Sequence, residues 1–267
     1  MDRVLIDLGF IKIYWYSITM FLGVLLGIIV AYIEIKRKKL NIDYFENMAF
    51  YAILFGFIGA RLYYVLFNLD YYLSNPIEIL EVWNGGLAIH GGIIGAVLAM
   101  YIYCKKRKIN FILMLDICAP ALMIGQIIGR WGNFFNSEAH GGIVTRNFLE
   151  SLHLPKFIID GMYINGNYYH PTFLYESFFN LIGFIILMIL RRNKKIHIGV
   201  ITGLYLMWYS VVRFFVESLR TDSLMLGTLR MAQVISIVLF VLGLLLIIIN
   251  SKKDKYNGEI WYHLQVI

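Results

Sequence analysis

The chain has 267 residues, of which 60% are hydrophobic, 16% are aromatic and 15% are charged. Soluble domains are roughly 45–50% apolar and about 25% charged, so this composition excludes a water-soluble fold. The 4 prolines and 2 cysteines exclude a collagen-like chain and a disulfide-rich secreted module, and the apolar content excludes intrinsic disorder. The net charge of +7 suggests a nucleic-acid partner as an alternative. The positions of the charges argue against that alternative.

Seven stretches of the chain are apolar over roughly the 20 residues that a membrane-crossing helix needs. They cover residues 13–33, 47–67, 82–104, 109–129, 171–190, 196–216 and 231–251. The second, fifth and sixth stretches each contain an arginine or a glutamate and are the weaker candidates. The sequence therefore predicts an all-α polytopic membrane protein with seven transmembrane helices.

Clusters of lysine and arginine set the predicted orientation of these helices. The clusters lie at residues 36–39, 105–108, 191–195 and 252–255. Short loops rich in Lys and Arg stay on the cytoplasmic side, which places the N-terminus outside, the C-terminus in the cytoplasm and an external head segment at 131–170. Within that segment, Asn165-Gly166-Asn167 predicts a hairpin. We expect one membrane domain over 1–255, a short tail over 256–267, and no nucleic-acid partner.

Ionisable side chains inside a membrane span are costly, so each of them is a functional candidate. Under the predicted orientation Asp116 lies in the inner half of its span, where we expect it to satisfy backbone groups or a partner helix. The other ionisable groups lie near the outer ends of five spans and are Arg61, His90, Arg130, Glu176, Arg213, Glu217 and Arg220. These polar groups therefore converge at the depth of the outer-leaflet headgroups.

The outer arginines have two interpretations. Each side chain can simply extend to the membrane interface, and Arg213 can form a helix-surface ion pair with Glu217 four residues later. Three arginines on the outer side nevertheless run against the bias for positive charge inside. Arginine grips phosphate through two parallel hydrogen bonds, so the group indicates a site for an anionic lipid headgroup, open toward the outer leaflet. His90, flanked by glycines, adds acid–base capacity near neutral pH.

One segment at the end of the fourth predicted span combines charged, amide and glycine residues. It reads GRWGNFFNSEAHG over residues 129–141 and resembles the signature of the bacterial prolipoprotein diacylglyceryl transferases. The residues that fit this signature are Gly129, Arg130, Gly132, Asn133, Phe134, Asn136, Glu138 and Gly141. Further motifs similar to those of the family are GARLYYVLF at 59–67, IHGGIIG at 89–95, HPTFLYES at 170–177 and YSVVRFFVESLRTD at 209–222. Phe173 departs from the pattern, in which a glutamine is expected.

The resemblance implies a multi-pass enzyme of the bacterial cell membrane with its active site toward the outer leaflet. Such an enzyme transfers the diacylglyceryl group of phosphatidylglycerol to the thiol of the lipobox cysteine in exported prolipoproteins. A thioether forms and glycerol 1-phosphate leaves, which is the first step of bacterial lipoprotein maturation. The implied partners are phosphatidylglycerol, lipobox-containing precursors and membrane lipids, and we expect no cofactor and no metal.

The resemblance also suggests a role for each candidate residue. Arg130 and Arg213 are assigned to the phosphate, and His90 is the candidate base that takes the thiol proton. The base stays open between His90, a tyrosine and a water relay, and headgroup binding is a second role for His90. The other substrate-binding candidates are Asn133, Asn136, Glu138, Gly141, Arg61, Tyr16, Tyr209, Glu217 and Arg220. The alternative function is a non-catalytic membrane protein that binds or transports anionic lipids.

Overall fold

The structure is a computed structural model that describes residues 3–9 and 12–251. The helices are α1 Trp15–Arg37, α2 Ile42–Phe67, α3 Leu69–Ser74, α4 Ile89–Arg107, α5 Phe111–Asn136, α6 Arg146–Ser151, α7 Lys156–Gly161, α8 Thr172–Leu190, α9 Val200–Leu219 and α10 Met231–Asn250. The strands are β1 Val4–Asp7, β2 Lys12–Tyr14, β3 Ile143–Val144, β4 Tyr163–Ile164, β5 Asn167–Tyr169, β6 Met225–Leu226 and β7 Leu229–Arg230. The fourth basic cluster and the predicted tail lie outside the described residues.

Within the described part of the chain, six helices are long and apolar enough to cross a membrane, namely α1, α2, α5, α8, α9 and α10. They leave many large apolar side chains exposed, as on α10, where Ile237 and Ile248 are each 56% exposed. Such surfaces suit a lipid environment, so the prediction of a helical, polytopic membrane protein is confirmed. The remaining long helix, α4, ends in Lys105, Lys106 and Arg107 and is not one of the six. The count of seven spans stays a prediction.

The chain divides into two compact units. Of the described residues, unit 1 contains 3–9, 12–33 and 115–251, and therefore most of α1 and α5 and every later element. Unit 2 contains residues 34–114, and therefore α2, α3 and α4.

Two helix ends differ from the sequence prediction. The helix α4 begins at Ile89 and not at residue 82, because the preceding residues form short 3₁₀ turns followed by Gly85 and Gly86, whose φ angles of +90° and +74° cannot continue a helix. The helix α5 continues to Asn136, past the end of the predicted apolar stretch at residue 129. The apolar pattern stops near residue 129, but the backbone stays helical, which places the signature residues on a rigid element.

Close backbone contacts join the helices of unit 1. A Cβ atom on Gly27 of α1 would lie 2.9 Å from the carbonyl oxygen of Ala121 in α5. A Cβ atom on Gly203 of α9 would lie 2.7 Å from the carbonyl oxygen of Gly243 in α10. Small residues at these crossings let helix backbones approach closely, which is the usual source of packing energy between helices in a membrane.

Asp116 of α5 caps the N-terminus of α9. Its Oδ2 accepts a hydrogen bond from the Gly199 amide at 2.6 Å, and its Oδ1 accepts from the Thr202 amide at 2.8 Å and the Thr202 hydroxyl at 2.6 Å. The first amides of a helix have no partner within the helix, and a carboxylate satisfies both their hydrogen bonds and the helix dipole. The prediction that Asp116 serves backbone groups of a partner helix is thus confirmed.

A small mixed segment connects α5 to α8. It contains α6, α7 and a three-stranded antiparallel sheet in the order β3-β5-β4. The predicted hairpin is confirmed: β4 and β5 pair around Asn165 and Gly166, whose φ angles are +48° and +88°. Phe173, the departure from the family pattern, is buried in the core of this segment and stacks on Phe134 at a centroid distance of 4.7 Å. This residue packs an apolar core, which explains why a phenylalanine is suitable there.

Candidate active site

A chain of alternating charges lies in unit 1, along α5, α8 and α9. Glu176 Oε1 lies 2.7 Å from Arg130 Nη2, and Glu176 Oε2 lies 3.1 Å from Arg213 Nη1. Glu217 Oε2 lies 2.7 Å from Arg213 Nη2 and 4.0 Å from Arg220 Nε. The ion pairs bring three predicted arginines together through two carboxylates.

Burial differs between the two signs of charge. Glu176 and Glu217 are 1% and 2% exposed, whereas the side chains of Arg130 and Arg213 keep 21% and 14% of their surface. The carboxylates therefore hold the guanidinium groups from within the protein while part of each arginine stays accessible. A guanidinium has five N–H donors, so an arginine held in this way retains donors for a second anion.

The signature residues surround Arg130. Arg130 Nη1 donates to Asn133 Oδ1 at 3.3 Å, and Asn133 Nδ2 donates to Glu138 Oε1 at 3.0 Å. The Asn136 amide donates to the same Glu138 oxygen at 3.4 Å. Arg130 and Asn133 are three residues apart on α5, so they share a face of that helix.

The end of α5 turns Glu138 back toward this group. The Ser137 amide donates to the Phe134 carbonyl and the Glu138 amide donates to the Asn133 carbonyl, each at 3.0 Å. Ser137 has a φ angle of +54°, so the helix ends in a Schellman-type cap whose left-handed residue is a serine in place of the usual glycine. This cap fixes the carboxylate beside the two asparagines.

Gly141 joins the signature segment to the end of α9. It forms an antiparallel bridge with Arg220, and its amide donates to the His170 carbonyl at 3.0 Å. A Cβ atom on Gly141 would lie 2.6 Å from the Cβ of His170 and 3.0 Å from the carbonyl oxygen of Leu219. The position therefore leaves no room for a side chain, so a glycine is required there for steric reasons.

Two tyrosines lie beside the charged chain. Tyr16 of α1 packs on Gly132, where a Cβ atom would lie 2.8 Å from its ring, and interacts electrostatically with Glu138 and Arg130. Tyr209 of α9 interacts electrostatically with Glu176, Arg130, Arg213 and Glu217. Tyr209 also stacks on Tyr205 at a centroid distance of 6.2 Å, and the Tyr205 hydroxyl accepts a hydrogen bond from Gln126 at 2.9 Å.

Asp222 and His170, which lie outside the long helices, have lowered pKa values. Arg220 donates two hydrogen bonds to Asp222, at 2.9 and 2.8 Å, and thereby lowers the pKa of that carboxyl. Burial lowers the pKa of His170, which lies 3.3 Å from the Tyr175 hydroxyl. Asp222 thus stays charged and His170 stays neutral at neutral pH.

The two remaining sequence candidates belong to unit 2. His90 lies in the first turn of α4, is exposed, and has its ring centroid 6.3 Å from that of Tyr63. Arg61 of α2 is 8% exposed, and its guanidinium donates to four backbone carbonyls. Within the described residues, no three His, Cys, Asp or Glu side chains are placed to hold a metal ion.

The structure brings ten sequence candidates together in unit 1. They are Tyr16, Arg130, Asn133, Asn136, Glu138, Gly141, Tyr209, Arg213, Glu217 and Arg220. The sequence reasoning gave no role to Glu176, although this residue pairs with both arginines of the predicted phosphate site. A signal was present, because a carboxylate inside a span needs cationic partners and the two arginines lie at the same predicted depth.

Comparison with known proteins identifies the family. The model of the prolipoprotein diacylglyceryl transferase family matches residues 3–249. A phosphatidylglycerol–prolipoprotein diacylglyceryl transferase of Bacillus cytotoxicus is 53% identical over 255 residues, which cover 96% of this chain and 94% of the relative. Proteins of the same name from Staphylococcus aureus strain MSSA476 and Staphylococcus saprophyticus are 50% and 49% identical, covering 97% and 96% of this chain and 92% and 91% of the relatives. The chain therefore belongs to the prolipoprotein diacylglyceryl transferase family.

Proposed function

We propose that this protein transfers the diacylglyceryl group of phosphatidylglycerol to the thiol of the lipobox cysteine in exported prolipoproteins. The relatives at about 50% identity are named for the transfer of a diacylglyceryl group from phosphatidylglycerol to prolipoproteins. The observation that carries the proposal is the buried carboxylate of Glu176, which pairs with both Arg130 and Arg213. Two arginines fixed in this way, each with accessible surface left, form a preorganised grip for a phosphate.

The proposed reaction exchanges one bond for another. The lipobox thiolate attacks the glycerol carbon of the diacylglyceryl group that carries the phosphate ester, and a carbon–sulfur bond forms. The carbon–oxygen bond to phosphate breaks, its electron pair stays with the phosphate oxygen, and glycerol 1-phosphate leaves. Negative charge grows on that phosphate, so fixed cations at this position lower the barrier. Arg130 and Arg213 supply this charge without having to move.

The neighbouring residues shape the pocket in this proposal. Glu217 pairs with Arg213 Nη2 while Glu176 pairs with Arg213 Nη1, and the pair of Arg220 and Glu217 extends the same chain of charges. The other pocket residues are Asn133, Asn136, Glu138, Gly141, Tyr16 and Tyr209. Amide and carboxylate groups bound to each other before the substrate arrives do not need to reorganise during the reaction.

The acceptor thiol must lose its proton before it can attack, because the thiolate is the nucleophile. His90 is our candidate for the base that takes this proton, since an imidazole titrates near neutral pH. A tyrosine or a water relay are the alternatives for this step. The proton finally passes to solvent, because glycerol 1-phosphate is largely a dianion near neutral pH.

We also propose the membrane topology. The six apolar helices and α4 together span the bacterial cell membrane seven times, with the N-terminus outside and the C-terminus in the cytoplasm. Lys36 and Arg37 lie in the last turn of α1, and three basic residues lie in the last turn of α4. Both ends are cytoplasmic in this topology, as the positive-inside rule requires. The segment 131–170 is then external, and the site opens toward the outer leaflet.

The experiment that tests this function uses the purified protein in micelles that contain phosphatidylglycerol, with a peptide that carries one lipobox cysteine. Mass spectrometry follows the gain of a diacylglyceryl group on that cysteine. We expect a gain that requires phosphatidylglycerol, that is absent with phosphatidylethanolamine, and that is lost in Arg130→Ala and Arg213→Ala. Arg146→Ala is the matched control, because Arg146 forms an exposed ion pair with Glu150 in the mixed segment.

The same experiment separates the alternatives. Transfer by His90→Ala at the wild-type rate would remove His90 as the base and favour a tyrosine or a water relay. A folded wild-type protein that binds phosphatidylglycerol but adds nothing to the peptide would favour a non-catalytic lipid-binding or lipid-transporting protein.

A further inference from the structure

Arg61 has a site of its own in unit 2. Its guanidinium is buried and lies over the ring of Tyr72, 5.3 Å from the ring centroid. All three of its nitrogens donate hydrogen bonds to backbone carbonyls. The acceptors are the carbonyl oxygens of Ile79 at 2.9 Å, Gly85 at 2.8 Å, Gly86 at 2.9 Å and Glu78 at 2.5 Å. One arginine of α2 therefore holds two separate stretches of the segment between α3 and α4.

The connecting segment has little regular structure of its own. Residues 76–84 form two short 3₁₀ turns, and Gly85 and Gly86 have positive φ angles. A buried guanidinium without acceptors is unfavourable, and the carbonyls of this segment supply the acceptors that Arg61 needs. A Cβ atom on Gly86 would collide with Arg61 Nη1, so the fit is specific to a glycine at this position.

The same segment leads directly into the start of α4. The Ala88 amide donates to the Ala60 carbonyl at 3.0 Å, one residue before Arg61 in α2. In the next turn, Gly59 of α2 and Gly91 of α4 meet so closely that a Cβ atom on either would collide with the other's carbonyl. His90 lies between these two contacts. The backbone on both sides of His90 is therefore fixed to α2.

We propose that Arg61 is a positioning residue for His90 and not a ligand of the lipid headgroup. It clamps residues 78–86 to α2 and thereby sets the backbone from which the His90 side chain projects. The inference rests on the proposed function, because Arg61 then affects turnover indirectly. It does so by placing His90, or another group at the start of α4, for the transfer reaction. The inference reassigns Arg61 from the set of substrate-binding candidates.

Lysine distinguishes the two roles. A lysine keeps the positive charge, so a site that requires only charge near a phosphate retains much of its affinity for the headgroup. A single ammonium cannot reproduce the planar fork of a guanidinium and cannot reach two stretches of backbone at once. The clamp is therefore lost in Arg61→Lys although the charge is kept.

The test compares wild type, Arg61→Lys and Arg61→Ala, with Arg107→Lys as the matched control. Arg107 is in the same unit, at the other end of α4, and lies 5.8 and 5.9 Å from the ring centroids of Tyr44 and Tyr103. Hydrogen–deuterium exchange measures the protection of residues 76–92 in phosphatidylglycerol micelles without any acceptor peptide. Initial rates of transfer to a lipobox peptide give kcat and the KM for phosphatidylglycerol.

We expect exchange in residues 76–92 to become at least about tenfold faster in Arg61→Lys, because hydrogen bonds to a charged group are lost. We expect kcat to fall by roughly 10- to 100-fold, the effect of a misplaced group, while the KM for phosphatidylglycerol stays within about twofold. Arg107→Lys is expected to match wild type in both measurements.

Two results would overturn the inference. One is a KM for phosphatidylglycerol that rises in both Arg61 variants while exchange is unchanged, which would make Arg61 a headgroup ligand. The other is an Arg61→Lys protein with the exchange and turnover of wild type. The exchange measurement needs no catalysis, so a wild-type protein without transferase activity would refute the proposed function and still leave the clamp testable.

Discussion

The carboxylate of Glu176 lies 2.7 Å from the guanidinium of Arg130, inside a helical unit in which the glutamate is 1% exposed. The other oxygen of the same carboxylate pairs with Arg213 on a different helix. A buried carboxylate is unfavourable unless it is paired, and two partly buried arginines repel each other unless a negative charge lies between them. Glu176 therefore ties α8 to both α5 and α9 and fixes the distance between the two arginines.

Replacing Glu176 by Gln tests this tie. Glu176→Gln keeps the size of the side chain and removes the charge, so both arginines lose their shared partner. We expect the free energy of unfolding to fall by about 2–3 kcal/mol and transfer to be strongly reduced. Thermal unfolding in detergent and the peptide-transfer assay measure the two effects.

Glu150→Gln is the control, because it removes one partner of an exposed ion pair with Arg146. It is expected to change the free energy of unfolding by less than about 0.5 kcal/mol. Equal stability of the two variants would contradict the structural role of Glu176.

Two adjacent glycines provide a matched test of the signature segment. Gly141→Ala places a methyl group against His170 and Leu219, whereas a Cβ atom on Gly142 meets nothing within 4 Å. We expect Gly141→Ala to lower the free energy of unfolding by about 1–3 kcal/mol and to abolish most of the activity, because the segment must shift away from Arg220. Gly142→Ala is expected to resemble wild type in both the unfolding and the transfer measurements. Full activity of Gly141→Ala would show that the bridge to α9 is dispensable.

Asp116 offers a test in which stability and substrate binding separate. Asp116→Ala removes three hydrogen bonds at the start of α9, and we expect a loss of about 2–4 kcal/mol in the free energy of unfolding. The KM for phosphatidylglycerol is expected to stay unchanged in the folded fraction, because Asp116 holds the start of α9 through Gly199 and Thr202. Asp160→Ala, at an exposed position, is the control. A raised KM without any loss of stability would give Asp116 a role in substrate binding.

The pair of Arg220 and Asp222 predicts a dependence of stability on pH. The arginine lowers the pKa of Asp222 in the folded protein, so the ion pair stabilises the fold fully above the ordinary aspartate pKa of about 3.9 and loses this effect as the pH falls through the lowered value. Asp222 is largely solvated, which limits the contribution to less than about 1 kcal/mol. We expect Asp222→Asn to unfold at a lower temperature than wild type at pH 7, the difference to start shrinking as the pH falls below about 4, and to disappear once the pH is below the lowered pKa of Asp222. The midpoint of thermal unfolding, measured for both proteins between neutral and acidic pH, checks this prediction. A difference in midpoint that persisted in acid would exclude the ionised carboxylate as its cause.

The sequence predicted the six long apolar helices well, since a membrane-spanning helix is encoded in the length of an apolar run. The end of α5 was harder, because helical backbone continues past the last apolar residue and stops only at the cap formed by Ser137 and Glu138. Arg61 illustrates a second reason why some contacts could not be predicted from the sequence. Its position in a span is visible in the sequence, but its partners are backbone carbonyls of a segment without regular structure, and no residue pattern encodes those contacts.

The pairing of Glu176 illustrates which contacts can and cannot be predicted from the depth of a residue in its span. The predicted spans put Glu176, Arg130 and Arg213 at a similar level. The choice of which carboxylate joins which arginines depends on how α5, α8 and α9 rotate about their axes. That rotation is set by close contacts such as Gly183 against Trp208 and by the cap that Asp116 forms on α9.

The most direct measurement of the central claim is the initial rate of glycerol 1-phosphate release as a function of phosphatidylglycerol concentration, for Arg130→Lys, Arg213→Lys and the control Arg146→Lys. A lysine keeps the charge but cannot bind a carboxylate and a phosphate through one planar fork. If Glu176 holds the two arginines for the phosphate, kcat/KM falls by roughly 100-fold or more in the first two variants and stays near wild type in the control. Wild-type rates in Arg130→Lys and Arg213→Lys would contradict the claim that these arginines grip the leaving phosphate.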